Sequence, residues 1–242
     1  MKLFGNKRET RRQRELQALD IVLDRLSPRD ENGVSLYKKV MEPNILPTKQ
    51  EYFLELTSLT GVLGPLLPEW IVAKGYYLAV TKELISDFLP TIKSMEPKSI
   101  IGIGSGRGKL EFGLNLEGIG IIPTDSWDEI RQVGVEKLNH KQALKKYDPD
   151  TVVMAFPAGN DPQILLDTLA HRSVKNVVVL VKAGYLISNF KERIFKLADA
   201  KALNLNTFPV PDDKLKEALE VVEEKAKAFG GMESAIFTKL QR

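Results

Sequence analysis

PKSIIGIGSGRGKLEFGLNLEGIGIIPTD, residues 97–125, contains two apolar runs separated by a glycine-rich segment and a stretch suited to a helix. A short apolar run that ends in glycines is typical of a buried strand leading into a tight turn. We therefore expect a strand–turn–helix–strand unit. Its predicted parts are a strand at Ile100–Ile103, a GSGRG turn at Gly104–Gly108, a helix at Lys109–Leu116, a strand at Gly118–Ile122 and an acid, Asp125, just beyond it.

The glycines and the acid of this unit predict a crevice for a nucleoside. Glycine is required where the backbone turns sharply and lies flat against a ligand, because a Cβ atom would collide with that ligand. An acid that closes the second strand can accept hydrogen bonds from both hydroxyls of a ribose. We therefore expect Gly104, Gly106 and Gly108 to form a wall of the crevice and Asp125 to lie at its edge.

The spacing of the glycines separates two classes of cofactor. A dinucleotide-binding turn reads GxGxxG, and its third glycine lets the helix pack closely on the strand. Here that third position is Lys109, and the third glycine comes one residue earlier, at Gly108. A GxGxG turn with an acid, Asp125, placed 17 residues after Gly108 resembles the class I S-adenosylmethionine-dependent methyltransferases, and the resemblance spans residues 97–242.

The resemblance implies that the chain binds S-adenosylmethionine as its cofactor. The glycine turn would wrap the methionine end, and a polar side chain after the third strand, Asn139 or His140, would contact the adenine. The loop after the fourth strand would face the methyl donor and hold the acceptor. The implied cofactor-binding residues are Gly104, Ser105, Gly106, Gly108, Asp125, Ser126, Asn139, His140 and Phe156.

One position departs from the family pattern. Its members usually carry an acid two residues before the first glycine of the turn, and that residue is Gly102 here. In the family, the acid helps to hold the amino group of the cofactor, directly or through water. Three interpretations stay open: another group takes over this contact, the affinity is weak, or the site has lost the cofactor.

From residue 97 onward the predicted strands alternate with helices, which is typical of a parallel sheet covered on both faces. We expect an α/β fold with a doubly wound, mostly parallel, seven-stranded sheet, whose last strand is inserted antiparallel as in the methyltransferase sheet. Residues 1–95 would form an N-terminal helical extension, and residues 96–242 the methyltransferase-like domain. The remaining predicted elements are helices at 12–26, 48–59, 68–89, 161–170, 188–198 and 212–229, and strands at 132–138, 151–156, 176–181, 201–208 and 233–240.

The leading functional interpretation is methyl transfer from S-adenosylmethionine to an unidentified acceptor. Two alternatives remain: a methyltransferase-like binding or scaffold protein without catalysis, and an NAD(P)-dependent oxidoreductase, which Lys109 disfavours. The pattern identifies no general base, since His140, Asp161 and Lys182 are candidates by location alone. Arg107 either reaches an anionic substrate or the cofactor carboxylate, or faces solvent.

The composition excludes several other classes of site and points to one partner. The chain has no cysteine and only two histidines, so disulfides and thiolate metal sites are excluded and a histidine-rich metal site is not expected. Residues 1–14 carry six basic side chains and one acid. They form either an arm for an anionic partner or a solvated helix start. The most apolar window, 61–80, contains Glu69 and Lys74, so we expect no membrane span and a cytoplasmic protein.

Overall fold

The computed structural model describes residues 18–64, 79–127, 134–155, 162–182, 198–202 and 232–239. Its helices are α1 (18–26), α2 (Leu36–Met41), α3 (Lys49–Leu63), α4 (Lys82–Ser94), α5 (Lys109–Leu116), α6 (His140–Tyr147) and α7 (Pro162–Ala170). Its strands are β1 (Ile100–Ile103), β2 (Ile122–Asp125), β3 (Glu136–Lys137), β4 (Thr151–Ala155), β5 (Asn176–Lys182), β6 (Ala198–Ala202) and β7 (Met232–Lys239). Within this part of the chain, no helix is both long and apolar enough to cross a membrane.

The strands form one mostly parallel sheet in the order β3-β2-β1-β4-β5-β7-β6. β1 pairs in parallel with both β2 and β4, and β4 pairs in parallel with β5. β7 is antiparallel to both of its neighbours, β5 and β6. The chain thus runs outward from β1 to β3 on one side and returns through β4 on the other, so the strand order reverses between β1 and β4.

Helices cover both faces of the sheet, because successive residues of its strands are apolar and face opposite sides. On one face, Ile101 and Val152 pack in a core with residues of α6 and α7, such as Leu144 and Leu169. On the other face, Ile100, Val153 and Val178 pack with residues of α4 and α5. The predicted doubly wound, mostly parallel α/β architecture is therefore confirmed.

The N-terminal helices contribute to two different cores. α1, α2 and α3 share a small core of their own that includes Leu23, Tyr37 and Leu59. α4 instead packs on the sheet, where Phe88 and Ile92 are fully buried. The division into domains after residue 95 remains a prediction.

Several predicted elements have different bounds in the structure; the strand predicted at 132–138 is limited to Glu136–Lys137, and the helix predicted at 48–59 extends to Leu63. β2 starts at Ile122 and not at Gly118, because Gly118 and Gly120 both have positive φ, which interrupts an extended strand. The helix predicted at 68–89 starts at Lys82 in the described residues, where the Thr81 side chain caps it, and it continues through Pro90 to Ser94. β6 lies at Ala198–Ala202, earlier than the predicted 201–208, and its register follows from pairing with β7. The predicted helix at 212–229 lies outside the described residues.

Candidate functional site

The glycine turn lies at the carboxyl end of β1, where the strand order of the sheet reverses. Gly104, Gly106 and Gly108 have φ values of 72°, 54° and 73°, in the region that L side chains rarely adopt. Gly108 is also the N-cap of α5. Its Cβ, if it had one, would lie 2.8 Å from Val135 Cγ2. The third glycine is therefore needed at position 108, where the turn packs against the segment that leads into β3.

Ser105 and Thr124 fix this turn to β2. The N–H of Ser105 donates to the Thr124 carbonyl at 3.1 Å, and the N–H of Thr124 donates to Ser105 Oγ at 3.1 Å. Thr124 Oγ1 in turn donates to the carbonyl of Gly102 at 2.6 Å. Thr124 is fully buried, so these bonds join β1, the turn and β2 with little competition from water. The Ser105 hydroxyl therefore has a structural partner on β2.

Asp125 connects the end of β2 to the turn. Its Oδ2 accepts the N–H of Gly106 at 2.7 Å, and its Oδ1 accepts the N–H of Trp127 at 2.7 Å. Its own carbonyl accepts the N–H of Leu138, next to the end of β3, at 3.1 Å. A carboxylate oxygen can accept two hydrogen bonds, so each oxygen of Asp125 retains the capacity for a ligand hydroxyl. The arrangement places a buried acid, Asp125, directly beside the glycine turn, as the sequence predicts.

Two basic side chains, Arg107 of the turn and Lys109 at the start of α5, attach this region to the N-terminal helices. Lys109 Nζ donates to the carbonyls of Lys39 and Val40 at 2.6 Å and of Glu42 at 3.1 Å. Arg107 Nη1 donates to the Met41 carbonyl at 3.0 Å. All four acceptors lie at the end of α2, whose last carbonyls have no partner within the helix. Arg107 therefore contacts protein, and neither of the two interpretations of it made from the sequence describes this contact.

The environment of Lys109 pulls its pKa in two directions. Burial, and secondarily the charge of Arg107, lowers the pKa to about 7, while Glu42 acts in the opposite direction. The three carbonyl oxygens around Nζ are arranged for an ammonium, which has three N–H donors. We therefore treat Lys109 as a cation held by the end of α2.

Glu111, in the first turn of α5, is a site residue that the sequence did not reveal. Its carboxylate occupies the space in front of Gly102: a Cβ at position 102 would lie 2.2 Å from Glu111 Oε1 and 2.5 Å from Ser105 Oγ. Glu111 is 1% exposed, and its Oε2 has no hydrogen-bond partner among the described residues. Burial raises its pKa to about 7; the hydrogen bond with Ser105 opposes this rise, and the charge of Asp125 adds to it.

The other predicted site residues lie around or beyond this centre. Ser126 is exposed directly after Asp125. Asn139 is exposed and caps α6 by accepting the N–H of Gln142 at 3.0 Å. His140 Nε2 lies 3.0 Å from Asp167 Oδ2 on α7, and this contact is the main cause that lowers the pKa of Asp167 to about 2. Phe156 lies outside the described residues.

The structure thus brings the glycine turn, Asp125 and the end of β3 together at one edge of the sheet. Asn139 lies at this edge, because the preceding residue, Leu138, is bonded to Asp125. The His140 side chain is held by α7 instead. Among the candidate bases, Asp161 and the Lys182 side chain lie outside the described residues. The described residues contain no cluster of three acids or histidines that could hold a metal ion.

No protein-family model matches the chain, and its sequence matches none of the curated proteins with which it was compared. Among solved structures, a SAM-dependent methyltransferase from Archaeoglobus fulgidus is 19% identical with a TM-score of 0.41, over 66% of this chain and 95% of that one. The plantazolicin methyltransferase BpumL, in complex with a desmethylPZN analog and SAH, is 12% identical with a TM-score of 0.43, over 80% and 99% of the two chains. PigF with SAH is 14% identical with a TM-score of 0.40, over 95% and 83%.

The topology of the sheet itself carries a further observation about the fold. A strand inserted antiparallel as the last of a mostly parallel sheet was predicted from the resemblance to class I methyltransferases. β7 has this position and direction, between β5 and β6. The predicted place and direction of this strand are therefore confirmed.

Proposed function

We propose that this protein binds S-adenosylmethionine and transfers its methyl group to an acceptor. The observation that carries the proposal is the bond between the Gly106 N–H and Asp125 Oδ2, 2.7 Å long, at the point where the strand order reverses. Ligands of open α/β sheets bind in the crevice at this point, beyond the carboxyl ends of the strands. A turn with glycine at three of its five positions, beside a buried acid, fits this donor.

The residues present fit the donor on two structural grounds. The positive φ values at Gly104 and Gly106 favour glycine, so neither residue places a Cβ atom where it would collide with a ligand. A buried polar atom, Glu111 Oε2, has no protein partner among the described residues. Bound S-adenosylmethionine would supply an electrophilic methyl group on a sulfonium.

The chain's own contribution would be to bind and orient. Asp125 would accept the ribose hydroxyls, Asn139 or Ser126 would contact the base end, and the turn would exclude water from the methionine end. Transfer of a methyl group to a good nucleophile requires in-line alignment and desolvation more than a general base. The bonds from Arg107 and Lys109 to α2 support the proposal that the N-terminal helices cover this crevice.

Calorimetry with S-adenosylhomocysteine tests the proposal. We expect saturable binding by the wild-type protein and its loss in Gly106→Val, which fills the turn. Gly118→Val is a matched control, because it also places a β-branched residue at positive φ, here 81°, with nothing within 4 Å of its Cβ. Binding that survives Gly106→Val would contradict the assigned pocket.

The same experiment separates the two alternatives. A scaffold protein with a methyltransferase-like fold would give no heat with S-adenosylhomocysteine. An oxidoreductase would instead enhance the fluorescence of NADH on mixing. The Lys109 side chain at the third dinucleotide position disfavours the oxidoreductase, because it extends to α2 and leaves no glycine for close helix packing there.

We further propose an anionic partner for residues 1–14 and a cytoplasmic location, both from the sequence. Binding to nucleic acid through this arm should weaken steeply with salt and vanish when residues 1–14 are removed. Binding that is insensitive to salt would contradict an electrostatic arm. Cell fractionation tests the location.

A further inference from the structure

The carboxylate of Glu111 lies where a side chain at position 102 would otherwise be. A Cβ at Gly102 would be 2.2 Å from Glu111 Oε1 and 2.9 Å from Glu111 Cδ. α5 therefore delivers an acid to the strand side of the glycine turn, and Gly102 leaves the room for it. The acid that β1 lacks at this position is present, but it comes from the following helix.

This carboxylate is incompletely satisfied by the protein. Glu111 is 1% exposed and Oε2 has no partner among the described residues, while the hydrogen bond with Ser105 involves only part of the carboxylate. Buried polar groups are nearly always hydrogen-bonded, and an unpartnered one in a native structure requires an explanation. A ligand that donates an N–H to Oε2 would provide it.

The charges nearby determine what kind of ligand group fits. Asp125 acts on Glu111 as a second negative charge, and Ser105 is its hydrogen-bonding neighbour. The neighbouring cation Lys109 is directed to the carbonyls of α2. Two acids at one end of the turn favour a positively charged ligand group that also carries N–H donors. In S-adenosylmethionine the ammonium meets both conditions, whereas the sulfonium has no hydrogen to donate.

We propose that Glu111 binds the ammonium group at the amino-acid end of the methyl donor. The proposal rests on the function proposed above, since it assigns a residue to one group of the same ligand. It answers the question raised by Gly102: another group takes over the missing contact. Glu111 is then a binding residue for the amino-acid end, while Asp125 serves the ribose.

The test is a cycle of two proteins and two ligands measured by calorimetry. The ligands are S-adenosylhomocysteine and its analogue in which hydrogen replaces the α-amino group; the proteins are the wild type and Glu111→Gln, which preserves shape. We expect Glu111→Gln to lower the affinity for S-adenosylhomocysteine by about tenfold or more, because a charge-assisted hydrogen bond is lost. The affinity of the variant for the analogue should stay within about twofold of the wild-type value. Glu117→Gln, on the exposed end of α5, is the control and should change neither affinity.

Each other result has a distinct meaning. If Glu111→Gln lowered the affinity for both ligands equally, Glu111 would be shown to shape the turn, and the inference would be overturned. Equal binding of both ligands by the wild type would overturn it too, even if the variant fails to fold. Wild-type protein that binds neither ligand would contradict the proposed function itself, and the inference with it.

Discussion

The ammonium of Lys109 donates to the carbonyl of Val40 across 2.6 Å, and so joins the helix that follows the glycine turn to the end of α2. The same ammonium reaches the carbonyls of Lys39 and Glu42. A single side chain thus satisfies three carbonyls that α2 leaves without helical partners. The position of the N-terminal helices beside the crevice depends on this contact, and it can be tested.

Lys109→Met should destabilise the protein by about 2–3 kcal/mol, because it removes hydrogen bonds from a charged donor and leaves buried carbonyls unpaired. Urea unfolding measures the free energy. Lys98→Met is the control, since Lys98 is exposed and should change stability by less than about 0.5 kcal/mol. Equal stability of the two variants would show that the contact with α2 contributes nothing.

Glu111 should make the ligand-free protein less stable as the pH rises. Burial raises its pKa from 4.5 to about 7, so the folded state holds this proton more tightly than the unfolded state does. The resulting contribution to stability is complete below pH 4.5 and is lost as the pH rises through 7. Glu111→Gln removes the titration, and its stability relative to wild type should rise by about 3 kcal/mol between pH 4 and pH 8.

Urea unfolding at the two pH values measures this difference. The control Glu117→Gln should show the same pH dependence as the wild type, because Glu117 is exposed. A Glu111→Gln variant whose advantage over wild type is independent of pH would mean that folding leaves the pKa of Glu111 unchanged.

Gly102→Ala should destabilise the protein, by about 1–3 kcal/mol for overpacking in a buried site, because the new methyl meets Glu111 Oε1 at 2.2 Å. The loss of stability caused by the new methyl should be smaller in the background of Glu111→Ala, in the double variant Gly102→Ala/Glu111→Ala. The remaining loss is explained by Ser105 Oγ, which lies 2.5 Å from the new Cβ. Gly61→Ala in α3 is the matched control. Its Cβ has nothing within 4 Å, and it should stabilise by up to about 1 kcal/mol. Additive effects in the double variant would contradict the contact.

The sequence predicts the strands and helices well where local pattern and tertiary packing agree. β4 and β5 are continuous apolar runs, which both faces of a covered parallel sheet require, and their predicted and observed bounds agree within one residue. The end of β2 was misplaced because the strand consists of Ile122, a proline, Thr124 and Asp125, a pattern without apolar alternation. Its register, with Ile101 opposite Ile122, follows from pairing with β1 and not from local preference.

α4 shows packing that outweighs a local signal. A proline inside a helix removes one backbone hydrogen bond and crowds the preceding turn, so Pro90 predicts a helix end. The helix continues to Ser94, because Phe88 and Ile92 lie on either side of Pro90 and are both fully buried against the sheet. Burial stabilises the fold by at least about 1.5 kcal/mol for each of these two large apolar side chains. Together they offset the cost of the proline.

In the site, the turn and its acid were predictable because their residues are close in sequence and the backbone itself forms the contact. The partners of Lys109 and Glu111 were not, because long side chains make those contacts after the fold has formed. Lys109 meets residues 67 to 70 positions earlier in the chain. Glu111 meets the backbone of β1 only because α5 packs back on that strand. For Glu111, the one indication in the sequence was that Gly102 stands where the family usually has an acid.

Asp125→Asn should lower the affinities for adenosine and for S-adenosylhomocysteine by the same factor, about tenfold or more. Both ligands carry the ribose, from whose hydroxyls the charged acid would accept hydrogen bonds. An amide has one acceptor oxygen instead of two, and the N–H of Gly106 or of Trp127 loses its partner as well. Calorimetry with both ligands measures the two losses. Glu111→Gln should weaken only S-adenosylhomocysteine, since adenosine has no amino-acid end, so the two variants distinguish the two ends of the pocket. A loss in Asp125→Asn that is confined to S-adenosylhomocysteine would place this acid at the wrong end of the ligand.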